Sequence, residues 1–204
     1  MKDSYAGWHW NSWKDTVLFF YKFIRTPHLI GSLIPSSQAL ALRMMEPVNW
    51  HTLETIAELG AGTGVFTKHV MQYKRAESTF LIFEQDTDMR KRLLQQYPHA
   101  VMGEHAEHLL SAMQQYGIST LDVVISGLPF AIFSSKLIDD ILDQVEQALK
   151  PDGLFIAFQY SVHMRKRLAQ KFDIDHIRFV LPNIPPAFVY VCRKRSSLPL
   201  LIME

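Results

Sequence analysis

The chain is short of cysteine, of charge imbalance and of long apolar runs, and each shortage narrows what it can be. Its single cysteine, Cys192, has no partner for an internal disulfide and sits in an apolar, strand-like run at 188–192, which reads as a buried, inert thiol in a reducing compartment. Lysine and arginine number 21 against 20 aspartate and glutamate, leaving a formal charge of +1. No global positive field therefore announces nucleic acid, and none is expected as a partner. No apolar run approaches the roughly 20 residues of a membrane span, and the Met-Lys-Asp start lacks the h-region of a signal peptide. The expectation is a protein neither secreted nor integral to a membrane. Nine histidines are present, but His105 and His108 are spaced i, i+3 with no HExxH pattern and no cysteine cluster, so no metal is expected.

What the chain does have is Thr-Ile-Ala-Glu-Leu-Gly-Ala-Gly-Thr-Gly at 55–64, a short apolar strand ending in a carboxylate and three alternate glycines. Such a loop lets the backbone approach a ligand closely, and the helix start after it favours an anionic ligand group. A dinucleotide fingerprint would need a glycine at Val65, and a P-loop would need a lysine where Val65-Phe66 stand. NAD and nucleoside triphosphates are both disfavoured. The stretch Glu58, Gly60, Ala61, Gly62, Thr63, Gly64 resembles motif I of the class I S-adenosylmethionine methyltransferases. That resemblance implies a glycine loop holding the methionine end of the cofactor, with Glu58 as its preceding acid.

With 204 residues, one α/β domain is expected, spanning 1–204, with a helical lead-in at 1–50 and a catalytic core at 51–195. Residues 4–25 read as a helix with Trp10, Trp13, Val17, Phe20, Tyr21 and Ile24 on one apolar arc. Phe19 and Phe23 point the other way, beside Lys14, Lys22 and Arg25. A second aromatic ridge flanked by cations has the character of a helix lying on an anionic membrane surface, and equally of a helix buried on two sides. A turn at 31–37 precedes an amphipathic helix at 38–45, with Ser36 or Ser37 as its N-cap or as a pocket residue.

From residue 55 strand and helix alternate, which argues for a mostly parallel sheet with right-handed crossovers. Strands are expected at 55–59, 79–83, 100–102, 122–126 and 153–159. Helices are expected at 65–73, 87–96, 106–116 and 134–149. Runs at 177–181 and 187–193 flank a proline-rich turn and suggest a closing antiparallel pair. The tail at 198–203 is apolar and suggests packing on the body.

Glu84, followed by Gln85, ends the second strand about 20 residues past the glycine loop, the distance at which such folds place an acid on the ribose hydroxyls. Glu104 and His105 follow the third strand, where methyltransferases contact adenine; the carboxylate of one or the backbone N–H of the other would do so. Ser126, Gly127, Leu128, Pro129 and Phe130 form a strand end and an apolar loop where ligands of open α/β sheets lie. Ser126 and Gly127 offer carbonyls there, and Phe130 is a candidate wall for the acceptor. In the adenine-N6 methyltransferases the matching loop begins with asparagine or aspartate, which Gly127 replaces. Tyr160 and His163, just past the fifth strand, lie at the same sheet edge and are candidates to orient the substrate.

Phe-Ile-Arg-Thr-Pro at 23–27, Gly-Ser-Leu-Ile-Pro-Ser-Ser at 31–37, Ser-Gly-Leu-Pro at 126–129, Phe-Ile-Ala-Phe-Gln-Tyr at 155–160 and Asn-Ile-Pro-Pro-Ala at 183–187 together resemble the bacterial phospholipid N-methyltransferases, over nearly the whole chain. That family shares its core with the ribosomal RNA adenine dimethylases. The resemblance implies a Rossmann-like three-layer fold with a seven-stranded, mostly parallel sheet whose last strand is antiparallel. It further implies S-adenosylmethionine as cofactor, S-adenosylhomocysteine as product, and methylation of a lipid amine such as phosphatidylethanolamine. The place would be the inner, cytoplasmic face of a membrane, to which the protein is peripheral. Two departures stand out. This chain has Gly-Glu-His-Ala at 103–106 where the family has Gly-Asp-Ala, and Gln159 where a threonine is common. An RNA or small-molecule methyltransferase and a non-catalytic cofactor-binding protein are the rival expectations.

Overall fold

Four of the five residues in the first strand are buried on both faces, the signature of a central strand in a parallel sheet with helices on either side. The computed structural model describes residues 35–181, 183 and 185–196. Its strands are β1 (Thr55–Leu59), β2 (Thr79–Phe83), β3 (Val101–Gly103), β4 (Leu121–Ser126), β5 (Leu149–Gln159), β6 (Phe172–Val180) and β7 (Ala187–Lys194). They make one sheet in the order β3-β2-β1-β4-β5-β7-β6. All neighbours are parallel except β7, which runs antiparallel to both β5 and β6. The expected seven-stranded sheet with an antiparallel last strand is therefore present.

Side chains alternate between two cores. Ile56, Ile82, Ile125, Ile156 and Val191 face one layer with α1 (Pro35–Met45), α2 (Val65–Tyr73) and α3 (Thr87–Gln96). Ala57, Leu81, Val124, Phe155 and Cys192 face the other with α4 (Leu109–Gln115), α5 (Ser135–Ala148) and α6 (Arg165–Lys171). Burial pushes the Cys192 thiol up to about 12, so it is an inert core group.

Local chemistry explains the element ends. The Asp86 carboxylate accepts from the N–H groups of Asp88 and Met89 and caps α3. Ser134 Oγ accepts from Leu137 N at 3.2 Å and caps α5, whose buried stripe is Ile138, Ile141, Leu142 and Val145. Asp122, at the foot of β4, accepts from Glu54 N and Thr55 N at 2.7 and 2.8 Å and pairs with Lys150. It thereby aligns β1, β4 and β5 at the end away from the glycine loop.

Several expectations change, among them the start of β5, which lies at Leu149 rather than 153. α1 starts at Pro35, a residue suited to a first helical position, so Ser36 and Ser37 fall inside its first turn rather than before it. β6 starts at Phe172, five residues before the expected run. It carries a bulge between Ile174 and His176, and its Asp173 and Asp175 pair with Arg195 and Arg193. The short α6 before it was not expected. The helix at 4–25, with Lys14, Phe19, Lys22, Phe23 and Arg25, and the tail at 198–203 lie outside the described residues. No helix among the described residues is long and apolar enough to cross a membrane.

Candidate active site

A cavity opens at the carboxyl ends of the central strands, lined by the glycine loop, the ends of β2 and β3, the loop after β4 and the end of β5. Gly60, Gly62 and Gly64 have φ of 76°, 57° and 82°. A Cβ on Gly62 would meet no protein atom within 4 Å, so at that glycine the loop presents bare backbone to the open side. Gly60 N and Ala61 N are tied back to the Phe83 carbonyl at 2.8 and 3.0 Å. Gly60, Ala61, Gly62 and Thr63 line the cavity, while Gly64 stands behind them as the N-cap of α2.

Glu84 is 2% exposed and does two things at once. Its carboxylate accepts from Gly62 N at 2.7 Å and Asp86 N at 2.8 Å, fastening the glycine loop to the cap of α3, and it also lines the cavity. Gln85, Glu104 and His105 line the same end, so both candidates for the adenine contact are brought there. Arg90 links them, donating to the Glu84 carbonyl at 2.7 Å and to Glu104 at 3.2 Å.

Glu58 departs from its expected place. It is fully buried and off the cavity wall; Oε2 accepts from Thr67 Oγ1 at 2.7 Å, and Oε1 has no hydrogen-bond partner among the described residues. Burial raises its carboxyl to about 8, with the Thr67 bond opposing the rise. That rise favours the protonated carboxyl near neutral pH, and the group lies beneath the glycine loop, tied to the α2 start through Thr67.

The loop after β4 also divides its expected residues. Gly127, Leu128 and Pro129 are on the wall. Ser126 is fully buried behind them, its Oγ accepting from Leu128 N at 3.3 Å. Phe130, expected to wall the acceptor, is 1% exposed and packed into the core, because a 3-10 turn (Phe130–Ile132) rotates it inward. Phe133 takes its place on the wall. His163 is exposed and off the wall, paired with Ser161 through Nδ1 at 2.6 Å.

Tyr160 is on the wall as expected. Burial pushes its phenol up to about 12, partly offset by a hydrogen bond with Asn183, so the hydroxyl stays neutral. Asn183, in the turn between β6 and β7, is itself buried and donates to the Pro185 carbonyl at 2.6 Å.

Several wall residues were not anticipated. Gln159 Nε2 donates to the Leu128 carbonyl at 2.9 Å and pins the acceptor loop. A lone polar residue ending the apolar run 154–158 was its signal. Phe66 and Phe158 meet edge to face at 5.7 Å, and Phe158 meets Tyr160 likewise at 5.5 Å, with Leu40 of α1 also on the wall. Only the tertiary fold brings α1, α2 and β5 together here.

Among the described residues, the wall carries Glu84, Glu104 and Glu107 but no lysine or arginine. An acidic end, a bare glycine backbone and an apolar, aromatic far end suit a cationic ligand with hydroxyls and an apolar acceptor beside it. S-adenosylmethionine, a sulfonium cation with ribose hydroxyls, has the character of such a ligand. No group of three or more metal-ligating side chains occurs among the described residues.

No family model matches the chain. It is 32% identical over 186 residues to the ornithine lipid N-methyltransferase of Singulisphaera acidiphila, an alignment covering 88% of this chain and 96% of that one. Among solved structures, the N-methyltransferase NodS of Bradyrhizobium japonicum with bound S-adenosylhomocysteine is similar with a TM-score of 0.63 at 10% identity, over 89% of this chain and 99% of that one. The 1,6-didemethyltoxoflavin N1-methyltransferase of Burkholderia thailandensis, also with S-adenosylhomocysteine, gives 0.65 at 12% identity, over 96% and 94%. The glycine loop, the sheet order and these likenesses agree: the chain is an S-adenosylmethionine-dependent class I methyltransferase, and it belongs to the same family as that ornithine lipid N-methyltransferase.

Proposed function

We propose that the enzyme methylates the amine of a membrane lipid head group, of the ornithine lipid or phosphatidylethanolamine kind. The observation that carries this reading is the far end of the cavity, where Leu40, Phe66, Phe158 and a neutral Tyr160 surround the space beside Leu128 and Pro129. The name of the related enzyme points the same way.

When bound, S-adenosylmethionine supplies a sulfonium methyl group; the amine lone pair forms the new N–C bond while the S–C bond pair stays on sulfur. The protein's contribution is alignment, which is worth up to ~7–11 kcal/mol where the geometry is favourable. Gln159 holds the Leu128 carbonyl and thus the loop on one side of the amine, and Asn183 holds Tyr160 on the other. The apolar surroundings favour the neutral, nucleophilic amine over its ammonium form. Tyr160, with its phenol near 12, orients rather than deprotonates. Gly127 removes the side chain that adenine-N6 methyltransferases place there, which favours an aliphatic amine over a nucleobase.

Residues 1–50 form a lead-in and 51–195 the catalytic core of a single domain in this reading. α1 supports it, since Leu40 reaches the cavity wall from that lead-in. Residues 4–25, with Phe19 and Phe23 beside Lys14, Lys22 and Arg25, would contact the anionic cytoplasmic face of a membrane.

The test is incubation with radiolabelled S-adenosylmethionine and, separately, vesicles containing ornithine lipid, vesicles containing phosphatidylethanolamine, total RNA and a metabolite extract. Label in an amine lipid is expected. Label confined to RNA or to soluble metabolites would overturn the assignment.

A further inference from the structure

We infer that the apolar arc of residues 4–25 docks in a groove between α1 and the end of β6, fastening the lead-in to the core. The inference goes beyond the lipid-amine reading and does not depend on which acceptor the enzyme takes. Among the described residues, seven large apolar side chains are exposed, and four of them, Leu42, Tyr73, Phe179 and Leu181, line this one groove at 42% to 68% exposure. The other three, Leu94, Tyr116 and Val162, stand apart on other segments, as single exposed apolar residues commonly do. A cluster of this kind marks a surface that another apolar element covers. The nearly buried Trp50 also lines the groove, its ring 5.7 Å from that of Tyr73.

The groove's shape and charge say what covers it. Ala39, Leu42 and Arg43 of α1, with Glu46 just after it, line the groove at i, i+3, i+4 and i+7, one helical face. Leu40, Ala41 and Met44 on the other side of α1 belong to the core. Glu46 holds both nearby cations, Arg43 at 2.9 Å and Arg178 of β6 at 2.6 Å. The groove therefore asks for apolar surface rather than for an outside ion. Trp10, Trp13, Val17, Phe20, Tyr21 and Ile24 supply such surface along one side of a helix. The chain between them and the groove is long enough. Residues 26–34 lead directly into Pro35, the first residue of α1, and such a connection spans up to about 30 Å, against about 16 Å for α1 itself. Residues 4–25 thus have the reach to return along α1. Phe19 and Phe23, on the far side of that helix, then face away from the core, where the proposed membrane contact needs them. Leu40 lines the cavity from the same α1, so the docking ties the lead-in to a helix that walls the acceptor end.

Two measurements on the full chain test the docking. The first is hydrogen exchange in lipid-free solution. Leu42→Ser combined with Leu181→Ser alters two exposed side chains, so residues 51–195 should keep their wild-type exchange. Residues 10–24 should exchange about tenfold or more faster, the equilibrium worth of one buried leucine. Equal exchange of 10–24 in the two proteins overturns the docking, and so does wild-type protection that appears only when anionic vesicles are added. Should the core itself loosen, the second measurement decides alone. It exploits Cys192, the single cysteine, which is buried, so that introduced thiols are the reactive ones. Val17→Cys on the arc, paired with Leu42→Cys in the groove, should be joined within one molecule by a short bis-maleimide. Phe19→Cys paired with Leu42→Cys should not. Equal cross-linking of the two pairs overturns the docking, as do links formed only between molecules, which make a second copy the occupant. Neither measurement uses a substrate, so the docking and the lipid-amine reading fail separately.

Discussion

The carbonyl oxygen of Gly60 lies 2.7 Å from the point where a Cβ on Gly127 would stand, so the glycine loop and the loop after β4 touch backbone to backbone at the cavity. A contact that short cannot be relieved by turning a side chain, because the obstacle is main chain. Gly127→Ala should destabilise the fold by about 1–3 kcal/mol, the cost of overpacking, and weaken S-adenosylmethionine binding with it. Thermal unfolding and calorimetry check this. Gly127→Asn should do the same without gaining activity on adenine; a stable variant that methylates RNA would refute the account.

The Gln159 bond to the Leu128 carbonyl gives a second prediction. Gln159→Leu removes one of the two donors to that carbonyl and leaves the Phe130 N–H at 3.0 Å, a loss of about 0.5–1.5 kcal/mol. If this falls on alignment, kcat for the lipid amine drops about two- to tenfold, while cofactor affinity changes less. Gln159→Thr, too short to span the same gap, should behave like the leucine variant. Steady-state kinetics beside cofactor titrations separate the two effects.

Glu58 makes stability depend on pH with a definite sign. Its folded carboxyl is raised from 4.5 to about 8, so between those values the native state keeps a proton that the unfolded chain has lost. Stability is then greatest below the lower value and falls as pH rises towards the upper one. Denaturant unfolding at about pH 5 and about pH 8 should show that loss. Glu58→Gln, neutral throughout, should flatten this dependence. A wild-type profile that rises over the same window would contradict a protonated Glu58.

The proposed membrane contact is tested at residues 4–25. Replacing both Phe19 and Phe23 by serine should reduce binding to anionic vesicles and lipid methylation while sparing cofactor affinity. Salt should weaken wild-type binding, with each of Lys14, Lys22 and Arg25 contributing about 1 kcal/mol near such a surface. Vesicle cosedimentation and thermal unfolding are measured together. A double variant that unfolds readily places those rings in a core; one that stays folded and binds like wild type moves the contact elsewhere.

Much of the frame was legible because local signals coincide with it. The glycine loop announces α2, and both α2 and α3 fall at their expected bounds. The start of β6 was hidden because Asp173 and Asp175 interrupt its apolar run, and they are tolerated only through arginines brought in by β7 and its end. α6 was hidden because it is short, strongly basic and buries chiefly Leu168. At the site, spacing located Glu84, Gly127 and Tyr160, whose backbone positions follow from strand ends. It could not foresee Phe130 turning inward, since a 3-10 turn reverses a side chain without a mark in composition. Phe66 and Phe158 read as core from periodicity, and they are core; their cavity faces arise only where α2 and β5 converge.

The two margins of the sheet have a consequence for how the protein keeps company with copies of itself. An outer strand offers unpaired N–H and C=O groups on which a neighbouring chain can grow. β3 offers only three residues. β6 is longer, but its bulge breaks the repeat and its aspartates, engaged by arginines, would have to be stripped of those partners before another strand could lie alongside. Strand-by-strand polymerisation is thus discouraged at both ends, even with an apolar cavity open at the strand tips. Crowding many copies together should therefore leave the sheets separate, and neutralising Asp173 and Asp175 together would remove that protection at β6.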